Sequence, residues 1–159
     1  MHFVGVDTSV ATPLSPAEAR AWQGLIRAHA VLVRDLDAEL REAHGLPLHW
    51  YLVLHEAAHA PPPGIRMGEL AERAMLTRPG LSGLVDRLEQ AGLAERRPCD
   101  GDARGTYAAI TDRGRRRLAA AEITHGEAIR RRYTGRLDER ELTLVASLWE
   151  RLGTLRPMG

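Results

Sequence analysis

MGELAERAMLTRPGLSGLVDRLEQAGL, residues 67–93, contains the pattern from which the class of fold follows. One helix is predicted over residues 68–75, and a second one runs from the N-cap Thr77 to Gly92. In the second helix apolar residues recur at i, i+3, i+4 and i+7, as Leu81, Leu84, Val85 and Leu88. The turn between the two helices is very short, and this spacing is typical of a helix-turn-helix unit.

The pattern changes after Gly92, where residues 93–97 and 106–111 are typical of two short strands. The connection over residues 98–105 is polar and too long for a tight hairpin. We therefore expect a flexible loop that projects from the domain. Behind a helix-turn-helix unit, such a β-loop is a wing.

Two helices are predicted before this unit. Ser15-Pro16-Ala17-Glu18 combines a hydroxyl N-cap, a proline at the first helical position and a glutamate three residues past the cap. An apolar stripe follows as far as Gly45, so one long helix is expected. A second helix over residues 47–59 ends before Pro61-Pro62-Pro63-Gly64.

Two more helices are predicted behind the wing. Thr111 or Asp112 caps a long helix, and Asp138 with Glu141 opens the last one. The apolar stripes on the first and last helices exceed what one small wing domain can cover, so a homodimer is expected. The predicted fold is mainly α with a small β-wing. It comprises a mobile tail over residues 1–14, a winged helix-turn-helix lobe over 47–111, and a helical dimerisation region over 15–46 and 112–155.

Composition favours one cytoplasmic domain. The chain has 159 residues, and no apolar run approaches the roughly 20 residues of a membrane helix, so no membrane partner is expected. The single cysteine, Cys99, fits a reducing compartment. Net charge is only +1, but residues 66–136 carry 15 arginines against 10 acidic residues. The basic surplus therefore lies in the middle of the chain, around the helix-turn-helix unit and the wing.

The helix from Thr77 to Gly92 is the fourth in chain order. Its outer face is small and polar, because burial of its apolar stripe turns the remaining positions outward. Such a face can approach the floor of the major groove of double-stranded DNA, and its side chains supply donors for phosphates and base edges. The alternative is a solvated amphipathic helix. The predicted contacts on this helix are Thr77, Arg78, Pro79, Ser82 and Arg87.

Arginines on or beside the wing favour the DNA-binding interpretation. Asp102 can orient Arg104 through a charge-assisted fork, and an arginine held in this way suits a narrow minor groove. Arg97 is predicted to contribute another contact. For Arg96 and Arg97 the alternative is a local ion pair in a solvated turn.

These residues also carry a family resemblance. The chain combines MGELAER (67–73), LSGLVDRLEQAGL (81–93), Asp102-Ala103-Arg104, and Ile110-Thr111 with Gly114. In this it resembles the MarR (multiple antibiotic resistance regulator) family over nearly its whole length. The resemblance implies that the first and last two helices form the dimer interface, that the fourth helix enters the major groove, and that Arg104 reaches the minor groove. Gly83 departs from the family pattern, in which an arginine or another polar residue is frequent.

The expected function is a transcription regulator, a repressor that binds an inverted-repeat operator as a homodimer. An effector pocket is predicted where the dimerisation helices meet the DNA-binding lobe, as the resemblance implies. Aromatic rings and imidazoles there suit a small aromatic or phenolic acid. The alternative is that the rings fill the core and the histidines are satisfied locally. The pocket residues proposed are His29, Trp50, Tyr51 and His55.

One motif points to a different class of protein. His55-Glu56-Ala57-Ala58-His59 matches the H-E-x-x-H pattern of zinc hydrolases. The longer pattern requires a glycine and a histidine where Pro62 and Ile65 stand, and no third ligand is identifiable. We therefore expect no enzymatic activity, no metal and no cofactor. The rival classes are a zinc hydrolase and an architectural DNA binder without a sensor.

Overall fold

The computed structural model describes residues 13–99 and 102–153, of which residues 102–104 are described by their backbone alone. Its six α-helices are α1 (Pro16–His44), α2 (Leu48–His59), α3 (Met67–Arg73), α4 (Arg78–Gln90), α5 (Asp112–Arg132) and α6 (Glu139–Arg151). A short 3-10 helix spans Thr134–Arg136, and the strands are β1 (Ile65–Arg66), β2 (Ala94–Cys99) and β3 (Asp102–Ile110). The predicted fold, mainly α with a small β-wing, is confirmed.

The chain divides into two compact units. The first ends at Val31, and its described part, residues 13–31, carries exposed apolar side chains on α1, including Trp22, Leu25 and Ile26. The second begins at Leu32 and contains all the other elements. Most of the predicted tail, residues 1–12, lies outside the described part of the chain.

Side-chain caps fix where the helices of the second unit begin. The hydroxyls of Thr77 and Thr111 accept the backbone N–H of the residue three positions on, at 3.2 and 3.0 Å. Asp138 and Glu141 form the reciprocal capping box at the start of α6. Each cap satisfies a backbone donor that a helix end leaves unpaired, and is worth about 1 kcal/mol. Three of the predicted helix starts are therefore confirmed, and Thr111 is the cap of α5.

The core of the second unit is built by side chains from α2, α3, α4, the sheet and α5, together with the end of α1. Burying a leucine or valine stabilises the fold by about 1.5–3 kcal/mol, so these residues set the orientation of the helices. The predicted stripe of α4 is fully inside. The largest fully buried side chains are Leu40, Leu46, Val53, Leu54, Leu70, Leu81, Leu84, Val85 and Leu88.

The turn between α3 and α4 begins two residues earlier than predicted. Met75 has a φ of +54°, a left-handed conformation in which a helix cannot continue. The N–H of Leu76 then donates to the carbonyl of Ala71 at 2.8 Å, which closes the end of α3. The prediction that this helix reaches residue 75 was therefore wrong, since the apolar pattern does not register a left-handed turn.

The sheet has a strand that the sequence did not reveal. β1 pairs antiparallel with β3, which pairs with β2, so the strand order is β1-β3-β2. Ile65 lies opposite Ala108 and Arg66 opposite Tyr107, and the Arg66 guanidinium lies 5.7 Å from the centre of the Tyr107 ring. A two-residue strand is too short to show alternation, which explains why periodicity missed it.

The strands of the wing are longer than predicted. β2 extends to Cys99 and β3 begins at Asp102, so only residues 100–101, which lie outside the described part, separate them. The prediction of a connection too long for a tight hairpin was wrong. Pro98 suggested a loop, but it lies opposite Thr106 on an edge strand, where a proline is tolerated because one side of the strand is unpaired.

We predict that Gly114→Ala destabilises the protein by about 1–3 kcal/mol. A Cβ at this position would lie 2.1 Å from the carbonyl oxygen of Leu93 and 2.8 Å from Cγ1 of Ile110, so α5 would have to move away from the sheet. Urea unfolding measures the effect.

Gly126→Ala is the matched control in the same helix. There the nearest atom to the new Cβ is the flexible end of Arg130, at 3.9 Å. This variant should be about 0.4–1 kcal/mol more stable than the wild type, because alanine favours the helix. Equal stability of the two variants would show that the contact of α5 with Leu93 is not tight.

Candidate nucleic-acid interface

The outward face of α4 carries every residue that the sequence predicted for it. Arg78, Pro79, Ser82 and Arg87 are exposed, on the side opposite the buried stripe. Thr77 is also exposed, and its oxygen caps the helix by accepting the N–H of Gly80. A hydroxyl that accepts this bond still has its proton, so Thr77 can both cap the helix and donate to a ligand.

Beside this face lies a cleft of about 610 Å³ between α3, the start of α4 and the sheet. Three arginines line it, Arg66, Arg78 and Arg96, together with Glu69 and Glu72 and with Ser82. Arg78 extends over the start of α3, because a Cβ on Gly68 would lie 3.7 Å from its Nη2 atom. Arg66 and Arg78 are positive side chains of the kind that contact a phosphate backbone, whereas Arg96 pairs with Asp86 and Glu89.

Arg96 joins β2 to α4. Its Nη1 atom is 2.7 Å from Oδ1 of Asp86 and also pairs with Glu89, and its Nη2 atom donates to the carbonyl and the hydroxyl oxygen of Ser82 at 3.0 and 3.2 Å. The backbone N–H of Arg96 donates to Glu89 as well, at 2.7 Å. The sequence interpretation counted Arg96 among the arginines on or beside the wing, with a local ion pair in a solvated turn as the alternative, and it did not predict these contacts with α4. The spacing of Ser82, Asp86 and Glu89 on one helical face was the signal for this network.

Arg97 is held on the other side of the strand. Its Nε and Nη2 atoms donate to Oε1 of Glu95 at 2.8 and 2.5 Å, and its Nη1 atom donates to the carbonyl of Pro63 at 3.1 Å. A DNA contact by Arg97 has to compete with these bonds. Asp102 and Arg104 belong to the backbone of β3, but their side chains lie outside the described part, so their predicted fork stays a prediction.

Three of the predicted effector residues lie on α2. Trp50 is half-buried against the core, and Tyr51 is buried. The Tyr51 ring stacks on His55, with 5.9 Å between ring centres, and also contacts His125 of α5 at 4.4 Å. His29, the fourth predicted residue, is exposed on α1 in the first unit.

The sequence interpretation missed His125, which completes this aromatic cluster. Among the described residues, the buried side-chain nitrogens or oxygens without a hydrogen bond are Nδ1 of His55 and Nδ1 of His125. The His55 atom lies 3.4 Å from Oε1 of Glu122, close enough for an ion pair but without hydrogen-bond geometry. Burial lowers the pKa of His125, and the neighbouring His55 lowers it further. Burial also raises the pKa of Tyr51, with a smaller contribution from Glu122.

The H-E-x-x-H motif has other partners in the fold. Nδ1 of His59 lies 2.8 Å from the carbonyl oxygen of His55, and the two rings are 4.3 Å apart. Glu56 pairs with Arg73 at 3.4 Å. Within residues 13–99 and 102–153 no three His, Cys, Asp or Glu side chains are grouped so that they can hold a metal ion. None of the helices in this part of the chain has the length and the apolar character that a membrane crossing requires.

A helix-turn-helix whose second helix presents a polar face, followed by an antiparallel β-pair, defines a winged helix-turn-helix protein. The MarR family model matches residues 44–105. The transcriptional regulator FarR of Neisseria gonorrhoeae is 31% identical over 110 residues, which cover 69% of this chain and 70% of FarR. The chain belongs to the MarR family of transcriptional regulators.

Solved structures agree with this assignment. Sco3205, a MarR family regulator from Streptomyces coelicolor whose structure is in complex with DNA, superimposes with a TM-score of 0.85 at 32% identity, over 92% of this chain and 93% of its own. AbsC from the same organism has a TM-score of 0.85 at 25% identity, over 91% of this chain and 97% of its own. The similarity therefore extends beyond the residues that the family model matches.

The lowered pKa of His125 predicts a specific dependence of stability on pH. Because the folded state disfavours the protonated ring, the unfolded chain binds more protons as the pH falls below about 6.5. The free energy of unfolding should therefore decrease between about pH 7 and pH 5. His125→Phe keeps a ring against Tyr51 and removes the titrating group, so this decrease should be smaller in the variant.

Urea unfolding at a series of pH values measures both curves. Burial lowers the pKa of His49 as well, and this residue remains in the variant, so part of the slope should persist. An unchanged slope in His125→Phe would place the pH dependence on groups other than this ring.

Proposed function

We propose that the protein binds duplex DNA in a sequence-specific manner by placing α4 in the major groove. The observation that carries the proposal is the polar outer face of α4, held outward by the burial of the opposite stripe. Arg78, Ser82 and Arg87 supply its hydrogen-bond donors, Thr77 its hydroxyl, and Pro79 its slim first turn. A regulator of this kind acts where the chromosome lies, so we assign it to the cytoplasm.

We propose that the binding unit is a homodimer formed by residues 15–46 and 112–155. No described residue of α6 is buried, although the helix carries large apolar side chains, and Leu144, Leu148 and Leu152 are all exposed. In the first unit the apolar side chains of α1 are exposed in the same way. Apolar surface of this kind is the usual mark of an interface between chains. A two-fold dimer presents two α4 helices, which suits an inverted-repeat operator.

We propose that the protein represses transcription by occupying an operator that overlaps a promoter. We also propose that a small aromatic or phenolic acid releases the protein from this operator. The proposed site uses Trp50, Tyr51 and His55 of α2. The part that the sequence assigned to His29 stays a prediction. The Nδ1 atoms of His55 and His125 support the proposed site, because within the described residues neither makes a hydrogen bond, a buried nitrogen without one is costly, and a ligand can supply it. A ligand that prefers one separation of the α4 helices shifts the population away from the DNA-bound form.

Selection of bound fragments from genomic DNA tests the DNA-binding proposal. The selected site should be an inverted repeat with half-site centres about 10 bp apart. Arg78→Ala or Ser82→Ala should change base preference, with each lost base contact costing on the order of 1–3 kcal/mol. Arg104→Ala should weaken binding to every sequence, because the proposed wing contact lies in the minor groove.

Arg73→Gln is the control for the loss of one positive charge, because this arginine is already paired with Glu69 and Glu56. It should keep the wild-type preference. Footprints of the Arg78, Ser82 and Arg104 variants that match the wild type would show that these are not the reading surfaces.

The effector proposal is tested with a panel of small aromatic acids, measured by thermal shift and by competition with the operator. A true effector should stabilise the wild type and weaken DNA binding about 5- to 150-fold. His55→Ala and Trp50→Ala should lose both responses. A compound that acts equally on the wild type and on both variants would place the pocket elsewhere.

A further inference from the structure

We propose that Arg96 is a positioning residue for DNA recognition: it fixes Ser82 as a hydrogen-bond donor toward the base that Ser82 meets. This inference deepens the proposed function and rests on it. It assigns Arg96 a role that acts through α4 and not through direct contact with DNA.

The Arg96 side chain extends from β2 onto one face of α4. Ser82, Asp86 and Glu89 are spaced by four and three residues, so they form one face of α4. The guanidinium of Arg96 comes from β2 and contacts all three of them. Its side chain is only 25% exposed, whereas that of Asp86 is 54% exposed. The arginine is thus packed between strand and helix, and its orientation is set by four bonds to one helical face.

The hydroxyl oxygen of Ser82 accepts a hydrogen bond from Arg96. A hydroxyl has one proton to donate and two lone pairs that accept, whereas a guanidinium only donates and remains charged at every physiological pH. When Nη2 of Arg96 donates to Oγ of Ser82, it occupies a lone pair and the hydroxyl proton has to point elsewhere. Nη2 also donates to the carbonyl of the same residue, which holds the group in place.

Hydroxyls on α6 make a different kind of hydrogen bond from that of Ser82. On α6, Thr143 and Ser147 donate their protons back to carbonyls of their own helix, each at 2.8 Å. This is the usual arrangement of a hydroxyl within a helix. Within the described part of the chain, the Ser82 hydroxyl accepts from Arg96 and donates to no protein group. Its proton is therefore left for a partner outside the protein.

The charge of Arg96 is balanced by carboxylates of α4. Asp86 and Glu89 are the carboxylates on the face of α4 that Arg96 contacts. Without a positive partner, they would repel the phosphate backbone of DNA. Both carboxylates pair with Nη1 of Arg96, so the positive charge of Arg96 is neutralised by side chains of the protein itself. This arrangement favours a positioning role over a phosphate contact for Arg96.

The consequence is a defined base preference. A donor in the major groove pairs with N7 or O6 of guanine, N7 of adenine or O4 of thymine, and it has no partner in the amino group of cytosine. At the base that Ser82 meets, the wild type should therefore discriminate against cytosine. Without Arg96 the hydroxyl can rotate and both donate and accept, so that discrimination should weaken.

The experiment compares binding of the full-length dimer to operators that differ at one base pair, the position where Ser82→Ala changes the preference. Arg96→Gln should reduce the discrimination ratio on the order of three- to tenfold, about the value of one hydrogen bond. Arg96→Lys keeps the charge but cannot reach Ser82 and both carboxylates together, so it should lose discrimination while it keeps more of the overall affinity. In a Ser82→Ala background neither change should reduce discrimination further.

Three results would overturn the inference. The first is equal weakening on every operator by Arg96→Gln with discrimination intact, which is the result of a purely structural or electrostatic role. The second is a full effect of Arg96→Gln in the Ser82→Ala background, and the third is a Ser82→Ala variant that selects the wild-type sequence. The last of these leaves the proposed function standing if the wild type selects one inverted repeat. A wild type that selects no sequence refutes the proposed function itself.

Arg73→Gln is the matched control, since it also removes an arginine paired with two carboxylates in the same lobe, and it should leave the discrimination ratio unchanged.

Discussion

Burial of one face of α4 is the constraint on which the rest of the molecule depends. Leu81, Leu84, Val85 and Leu88 are all at most 1% exposed, and at about 1.5–3 kcal/mol each they leave the helix no other orientation. The polar positions between them must then face outward. The cap at Thr77 fixes where the helix starts, and the strand that follows it brings Arg96 back onto its side. The packing of the lobe and the proposed recognition of DNA therefore use opposite faces of the same helix.

The parts of the fold that were predictable are those encoded by local chemistry. Helix starts follow from caps such as Thr77 and Asp138, and helix faces follow from apolar spacing, both of which are visible along the chain. The short strand β1 and the full length of the wing strands were not predictable, because a two-residue strand shows no period and Pro98 resembles a loop residue. The site divides in the same way. The exposed face of α4 was predicted, but the contact of His125 with Tyr51, 74 positions away in the sequence, is set only by tertiary packing.

The helices proposed for dimerisation and the lobe proposed for DNA binding are physically connected in the second unit. Arg132 of α5 pairs with Asp35 and Glu39 of α1 at 2.7 Å each, and α5 meets α2 through the Tyr51–His125 contact. Ion pairs that are only partly buried, as these are, add little stability, so their importance is geometric. The proposed effector at the aromatic cluster would act on the packing of α2 against α5. Such a change can be passed to the spacing of the two α4 helices if the dimer has two discrete arrangements.

In the proposed complex, two chains joined by their helical regions present two α4 helices to one inverted repeat. Sedimentation of the free protein and of its complex with a selected duplex distinguishes this arrangement from binding by single chains. The free protein should be a dimer at micromolar concentration, and each duplex whose half-sites lie about 10 bp apart should carry two chains. A monomer in solution that binds the same duplex as one chain, with its affinity intact, would show that DNA binding does not need the dimer.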